Sequence, residues 1–209
     1  ALSYIKGAYS FVILSRGKLF AIRDQYGFRP LSLGEIDNQD GTKGYIVASE
    51  TCAFDLINAK YIRDINPGEM LIFSTKDGKS IYESIQVFES TPKKCIFEFV
   101  YFARPDSFIF DKCVYEIRKN MGIELAKECK IKADLVIPVP DSGVISAIGY
   151  SQESKIPFEL GIVRNHYIGR TFIEPTQSNR ELKVRLKLNP IKEIIKDKEN
   201  TQSPEIRPE

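Results

Sequence analysis

The opening portion of the chain alternates short apolar runs with turn residues. Ala8-Tyr-Ser-Phe-Val-Ile-Leu-Ser15 is apolar and partly β-branched, Arg16-Gly17 breaks it, and Lys18-Leu-Phe-Ala-Ile-Arg23 runs back. Gly7–Ser15 and Lys18–Arg23 are therefore predicted as the two strands of a hairpin. Leu31–Gly34, Gly44–Glu50 and Glu69–Ser74 read as further strands, and Cys52–Ile57 as a short helix. Asn66-Pro-Gly68 and Lys76-Asp-Gly-Lys79 have turn chemistry. Beyond Glu89 the period changes. Val114, Ile117, Met121 and Leu125 fall at helical spacing and predict a helix over Cys113–Lys130. A strand over Ala133–Val139, a helix over Val144–Glu153 and a strand over Phe158–Val163 follow. Strands that alternate with helices predict a parallel sheet with crossover helices. A boundary is placed inside Glu89-Ser-Thr-Pro-Lys-Lys94, between a β-rich portion, 1–90, and an α/β portion, 91–209.

Composition narrows the function classes. The chain has 209 residues, enough for one large domain or two small ones. It holds 30 basic and 28 acidic residues, a balance that argues against nucleic acid or a membrane surface as the partner of the whole chain. No apolar run is long enough to span a bilayer, and no signal-peptide pattern opens the chain, so a cytoplasmic location is expected. Cys52, Cys95, Cys113 and Cys129 lack tight metal spacing, and His166 is the single histidine, which argues against a zinc hydrolase. The ends read as those of a piece of something longer. Ala1-Leu-Ser-Tyr4 is not an initiator sequence, and Lys196–Glu209 is polar and proline-broken where another strand is expected.

Candidate chemistry lies where the apolar stretch Leu135–Val139 gives way to Pro140-Asp-Ser-Gly143 and then to a helix. A strand that feeds a helix N-terminus through a polar turn can bind anions, because the first helical N–H groups lack internal partners and the helix dipole is positive there. Gly143 would let a ligand approach the backbone. Ser142 could donate to a phosphate oxygen or ligate magnesium, and Asp141 could accept from a ribose hydroxyl or orient a metal-bound water. The plainer reading is that Asp141 or Ser142 caps the helix. A nucleophilic serine is a third reading, but Pro140 and Val144 stand where a hydrolase elbow needs glycines.

The second candidate begins at Val163-Arg-Asn-His-Tyr-Ile-Gly-Arg-Thr-Phe-Ile173. Arg164, Arg170, Arg180, Lys183, Arg185 and Lys187 follow one another there, opposed by Glu174 and Glu181. Guanidinium groups on a mobile loop can grip a polyphosphate and close over it. A solvated basic surface, or a nucleic-acid patch with Tyr167 and Phe172 stacking on bases, are the other readings. His166 fits a packing or hydrogen-bonding role better than that of a general base.

Several of these stretches carry a family resemblance. Cys95-Ile-Phe-Glu-Phe-Val-Tyr-Phe-Ala-Arg-Pro-Asp-Ser107 resembles the domain-junction signature of the amidophosphoribosyltransferases. Val139-Pro-Asp-Ser-Gly143 and Tyr167-Ile-Gly-Arg-Thr-Phe-Ile173 extend it. Gly7-Ala-Tyr9, Arg23–Leu31, Ala48-Ser-Glu50 and Pro67-Gly-Glu69 resemble the later part of the family's glutaminase domain. The resemblance implies an α+β and α/β pair of domains. The first is the end of an N-terminal-nucleophile glutaminase with stacked antiparallel sheets, over 1–90. The second is part of a type I phosphoribosyltransferase with a parallel sheet and flanking helices, over 91–209. It implies release of ammonia from glutamine and its transfer to phosphoribosyl pyrophosphate, giving phosphoribosylamine at the start of de novo purine synthesis. Asp141, Ser142 and Gly143 would form the pyrophosphate loop, with Ser142 facing magnesium. Arg164, Tyr167 and Arg170 would belong to a flexible loop that orders over the substrate. Cys95 would be one of four ligands of a [4Fe-4S] cluster in cluster-bearing members, with a buried free thiol as the alternative. Purine nucleotides as feedback inhibitors and assembly into homodimers or homotetramers are implied as well.

Three departures qualify the match. The family's nucleophile is an N-terminal cysteine, which Ala1 does not supply. The acidic pair expected for the ribose hydroxyls after Lys198 is replaced by Ser203-Pro-Glu-Ile-Arg-Pro208. The family's Lys-Asn-Arg-Tyr reads Arg164-Asn-His-Tyr167. The 209 residues alone are therefore expected to be inactive in both half-reactions. A nucleotide- or phosphoribosyl pyrophosphate-binding regulatory module, and a nucleobase phosphoribosyltransferase, are the alternatives.

Overall fold

A computed structural model describes residues 2–169, 177–196 and 198. The chain divides into two compact units, Ala1–Tyr115 and Glu116–Glu209.

The first unit is built from antiparallel strands. After a 3-10 turn at Leu2–Tyr4 come β1 (Ser10–Ser15), β2 (Lys18–Arg23), β3 (Ser32–Asp37), β4 (Lys43–Ala48), the short helix α1 (Cys52–Asp55), β5 (Lys60–Asp64), β6 (Glu69–Lys76) and β7 (Lys79–Gln86). A π-helical turn over Glu98–Phe102 and the small hairpin β8 (Phe108–Ile109) and β9 (Lys112–Cys113) complete it. One sheet has the order β1-β2-β6-β7 and another the order β4-β3-β5. Strand β6 shows the period-2 reason for this layering. Glu69, Leu71 and Phe73 turn inward, while Met70, Ile72 and Ser74 are half-buried. Leu71 and Phe73 join Ala21, Leu31, Leu33 and Ile65 in one core, to which both sheets contribute. Asp77 and Gly78 close the β6–β7 hairpin with φ of 51° and 74°, the positive pair that a two-residue turn requires.

Besides the short β8 and β9, the strands β5 and β7 escaped the sequence pattern. Strand β5 carries charge at both ends, and β7 is exposed at nearly every position. Each forms because a neighbour offers an unpaired backbone edge, β3 for one and β6 for the other. The segment expected as the boundary is no free linker. Thr91, Lys93 and Cys95 donate their N–H groups to the carbonyls of Gln25, Tyr26 and Phe28, at 3.0, 2.7 and 3.1 Å.

Helix α2 (Val114–Glu128) leads into the second unit, which holds α3 (Val144–Ser154), β10 (Ile162–Arg164), α4 (Gln177–Lys187), β11 (Leu188–Pro190) and α5 (Lys192–Ile195). Both expected long helices form. The face of α2 is rotated from the expected one. Val114, Arg118, Gly122 and Ala126 are its buried positions, whereas Leu125 is exposed. The cause is a close helix crossing. A Cβ on Gly122 would lie 1.9 Å from the carbonyl oxygen of Ser146, and one on Gly149 would lie 2.0 Å from that of Lys119.

Among the described residues, the expected parallel sheet is reduced to a single parallel bridge, Val136 to Phe158, made by N–H groups of Val136 and Glu159. Ala133–Val139 is not a continuous strand, and it is not buried on both faces, since Val139 is 61% exposed. Pro138 and Pro140 have no N–H to donate and cannot extend a ladder. Of the second expected strand, only β10 forms, and it pairs antiparallel with β11.

Candidate functional site

The turn ahead of α3 is tied together by its own backbone. The N–H of Gly143 donates to the carbonyl of Val139 at 3.0 Å, and that of Val144 to the carbonyl of Asp141 at 3.3 Å. Gly143 is the N-cap of α3, and no side chain caps the helix there. The capping reading of Asp141 and Ser142 thus gives way to a main-chain cap. The glycine also has a different cause from the one expected. Its φ is −79°, open to any residue, but a Cβ would lie 2.8 Å from the Val139 oxygen. Its small size serves the turn itself. The Pro140–Asp141 peptide bond is cis.

The side chains of Asp141 and Ser142 are exposed, so the bend is open to solvent and not packed shut. Strand β10 ends in Arg164, which reaches back across the chain. Its guanidinium forms an ion pair with the Asp141 carboxylate. Arg164 is 31% exposed, and its Nε is buried with no hydrogen-bond partner. Two of the expected site residues, from segments 23 residues apart, therefore meet beside the third, Ser142. The arrangement brings a guanidinium, a carboxylate, a hydroxyl and the N-terminal end of an 11-residue helix to one open corner. Such a corner suits a phosphorylated ligand: the guanidinium and the helix end attract anionic oxygens, and the carboxylate can accept from hydroxyls.

Beyond Arg164 the chain turns sharply. The N–H of Tyr167 donates to Asn165 Oδ1 at 3.0 Å, and the Tyr167 ring is 99% exposed. His166 is exposed too. Arg170 and Thr171–Ile173 lie outside the described residues. The basic run continues on α4, whose Arg185 and Lys187 occupy the last turn, where cations complement the helix dipole.

Cys95 is a half-buried free thiol. Among the described residues, no group of three or more His, Cys, Asp or Glu side chains is placed to hold a metal ion. A complete donor set for a cluster is thus not assembled around Cys95. Ser142 and Asp141 offer exposed oxygens of the kind magnesium takes alongside water and phosphate ligands. No helix among the described residues is long and apolar enough to cross a membrane.

Sequence reasoning passed over the polar network around the Arg104-Pro-Asp-Ser107 stretch. Glu50 Oε2 accepts from the N–H of Arg104 and the hydroxyl of Ser107, both at 2.7 Å. Thr51 Oγ1 accepts the N–H of Phe108 at 2.8 Å. Glu98 is almost fully buried and pairs with Arg29. Burial pushes the Glu98 carboxyl above its ordinary value, Arg29 opposes that, and Glu50 adds to it. The one available signal was a charged residue set inside an apolar run, Phe97-Glu98-Phe99.

An open corner at a helix N-terminus with an arginine facing it is a ready site for an anionic, phosphate-bearing ligand. Comparison makes the class specific. Along 94% of its length the chain is 48% identical to an amidophosphoribosyltransferase of Mycobacterium tuberculosis, and along 95% it is 48% identical to one of Rhizobium etli. It covers 36% and 39% of those proteins, so the chain spans little more than a third of the curated relatives it matches. A solved glutamine phosphoribosylpyrophosphate amidotransferase from B. subtilis, complexed with ADP and GMP, superposes with a TM-score of 0.80 at 44% identity, over 94% of this chain and 42% of that one. A second solved structure, an allosteric regulatory enzyme of purine biosynthesis, gives 0.79 at 43% identity, over 94% of this chain and 41% of that one. No protein-family model matches. The resemblance first visible in Cys95–Ser107 and Tyr167–Ile173 is thus borne out along nearly the whole chain: it is similar throughout to amidophosphoribosyltransferases.

Proposed function

We propose that the full-length protein catalyses glutamine-dependent amination of phosphoribosyl pyrophosphate, giving 5-phosphoribosylamine and pyrophosphate. The observation that carries this reading is the 48% identity along 94% of the chain, which takes in both the β-rich portion and the anion corner. On this reading residues 1–90 belong to an N-terminal-nucleophile glutaminase and residues 91–209 to a type I phosphoribosyltransferase. Glutamine hydrolysis supplies ammonia. The ammonia nitrogen attacks C1 of the ribose, the C1–O bond to pyrophosphate breaks with its electron pair going to pyrophosphate, and the new amine sheds a proton.

The chain's residues have stated tasks in this reaction. Positive charge builds on C1 while negative charge builds on the departing pyrophosphate. The amides at the start of α3 and the Ser142 hydroxyl stabilise the latter charge where it develops. Asp141 and Ser142 flank the site for magnesium, which supplies Lewis-acid neutralisation of the phosphate oxygens when bound. Arg164 leaves Asp141 to engage the pyrophosphate, and Tyr167 and Arg170 close over the sugar, keeping out water that competes with ammonia. Cys95 is the candidate cluster ligand, and no step depends on the cluster. The B. subtilis enzyme's complex with ADP and GMP supports purine nucleotides as feedback inhibitors here. A homo-oligomer in the cytoplasm completes the proposal.

The test is consumption of phosphoribosyl pyrophosphate by the full-length protein with glutamine, with ammonium salts and with free nucleobases. Turnover with the first two and none with the bases is expected. Turnover with bases alone, or with none of the three, overturns the reading.

A further inference from the structure

Resting on the reading above, we propose that Glu50 is the positioning residue that couples the glutaminase portion to the phosphoribosyltransferase portion, by fastening the Arg104–Ser107 segment. The two portions meet inside the unit Ala1–Tyr115, because residues 91–115 pack with residues 1–90. Glu50 stands just past the end of β4, on the early side of that seam. The segment it holds stands on the late side.

Its carboxylate is well placed for the task. A single oxygen, Oε2, takes both the Arg104 N–H and the Ser107 hydroxyl, and Ser107 is fully buried. The Cys52 thiol lies 3.8 Å from the same oxygen. The held segment then launches α2: the N–H of Val114 donates to the Ser107 carbonyl and that of Tyr115 to the Pro105 carbonyl, each at 3.0 Å. One carboxylate therefore sets the path along which the chain leaves the β-rich portion and enters the helix that follows. Arg104 cannot hold the segment in its place, since its guanidinium pairs with Asp106 within the same stretch.

On the proposed function, ammonia made from glutamine passes from the first portion to the second, whereas ammonia added from solution need not. Loosening the seam lets the first kind escape and leaves the second unaffected. In the full-length protein, Glu50→Ala is therefore expected to lower glutamine-dependent synthesis by about tenfold or more. Ammonia-dependent synthesis should stay within about twofold of the unsubstituted protein. Glutamate formed per phosphoribosylamine should rise above one. Glu50→Gln keeps an acceptor oxygen and should restore most of the coupling. Faster amide exchange at Arg104 and Phe108 in Glu50→Ala should accompany the loss. If the alanine variant does not fold, Ser107→Ala, which removes one donor and leaves the Arg104 bond, serves the same comparison. A parallel fall in both activities marks a merely structural role and overturns the proposal. So does an unchanged glutamate-to-product ratio. The unsubstituted protein is assayed first: if it uses neither nitrogen source, the functional reading fails, and not this inference.

Discussion

Glu69 shows how much one side chain can organise. It is almost fully buried and accepts from both terminal nitrogens of Arg63, from the N–H of Asn66 and from the hydroxyl of Ser84, at 2.6 to 2.8 Å. Burial alone would push its carboxyl up, but those donors outweigh it and hold the group below its ordinary 4.5. A depressed carboxyl contributes stability that is fully present above pH 4.5 and fades as pH falls through the lower folded value. Glu69→Gln is expected to cost about 1–3 kcal/mol at neutral pH, because buried donors lose a charged acceptor. Its unfolding free energy should also fall less steeply below pH 4.5 than that of the unsubstituted protein. Denaturant titrations across that range decide it, and equal slopes would refute the assignment. Arg23, 2% exposed, is a second such hub, donating to the carbonyls of Arg29, Ile65 and Gly27. Both residues sit in stretches that carry the family resemblance. Their burial was not legible, because a charged residue at the end of a strand reads as a solvent-facing one until its partners are in place.

At the scale of elements, two glycines make opposite demands. Gly78 has φ +74° and open space around its missing Cβ. Gly149 has ordinary helical backbone but a carbonyl 2.0 Å from where a Cβ would sit. Gly78→Ala should therefore cost only backbone strain, about 1 kcal/mol. Gly149→Ala must force α3 away from α2 and should cost about 3 kcal/mol or more. Comparing the two by thermal unfolding tests the reasoning, and an equal loss would contradict it. The hairpin turn was plain in Lys76-Asp-Gly-Lys79, since turn chemistry is local. The helix crossing was not. Spacing in α2 pointed to Ile117, Met121 and Leu125, yet the neighbour it meets selects the small residue Gly122 instead. The expected strand over Ala133–Val139 failed for a related reason, because a parallel strand depends on ladders from other segments, and its prolines limit what it can offer them.

For the whole molecule, the anion corner is where the proposed phosphoribosyl transfer is tested. Arg164 and Asp141 form an ion pair at the open corner, so on the proposed function a pyrophosphate group would compete with the Asp141 carboxylate for the guanidinium. Removal of divalent metal from the full-length protein should stop phosphoribosyl pyrophosphate turnover with glutamine and with ammonia alike, and magnesium should restore both. Turnover that persists in a chelator would remove Ser142 from its proposed metal role. Arg164→Ala should weaken binding of inorganic pyrophosphate by about tenfold or more, measured by calorimetry in the presence of magnesium. An unchanged affinity would leave the arginine as a structural partner of Asp141.

Local chemistry in the sequence was enough to place most of the longer strands of the first unit, the helices α2 and α3, the turns and the polar corner at Asp141–Gly143. Those features depend on side-chain period and on residues that favour particular backbone angles, and both are properties of neighbouring positions. Tertiary structure alone decided that Arg164 returns to Asp141, that Glu50 fastens Arg104 and Ser107, that β5 and β7 become strands, and that α2 buries Gly122. Each of these is a meeting of distant segments. Its energy comes from burial and hydrogen-bond geometry that exist only once the chain has closed on itself.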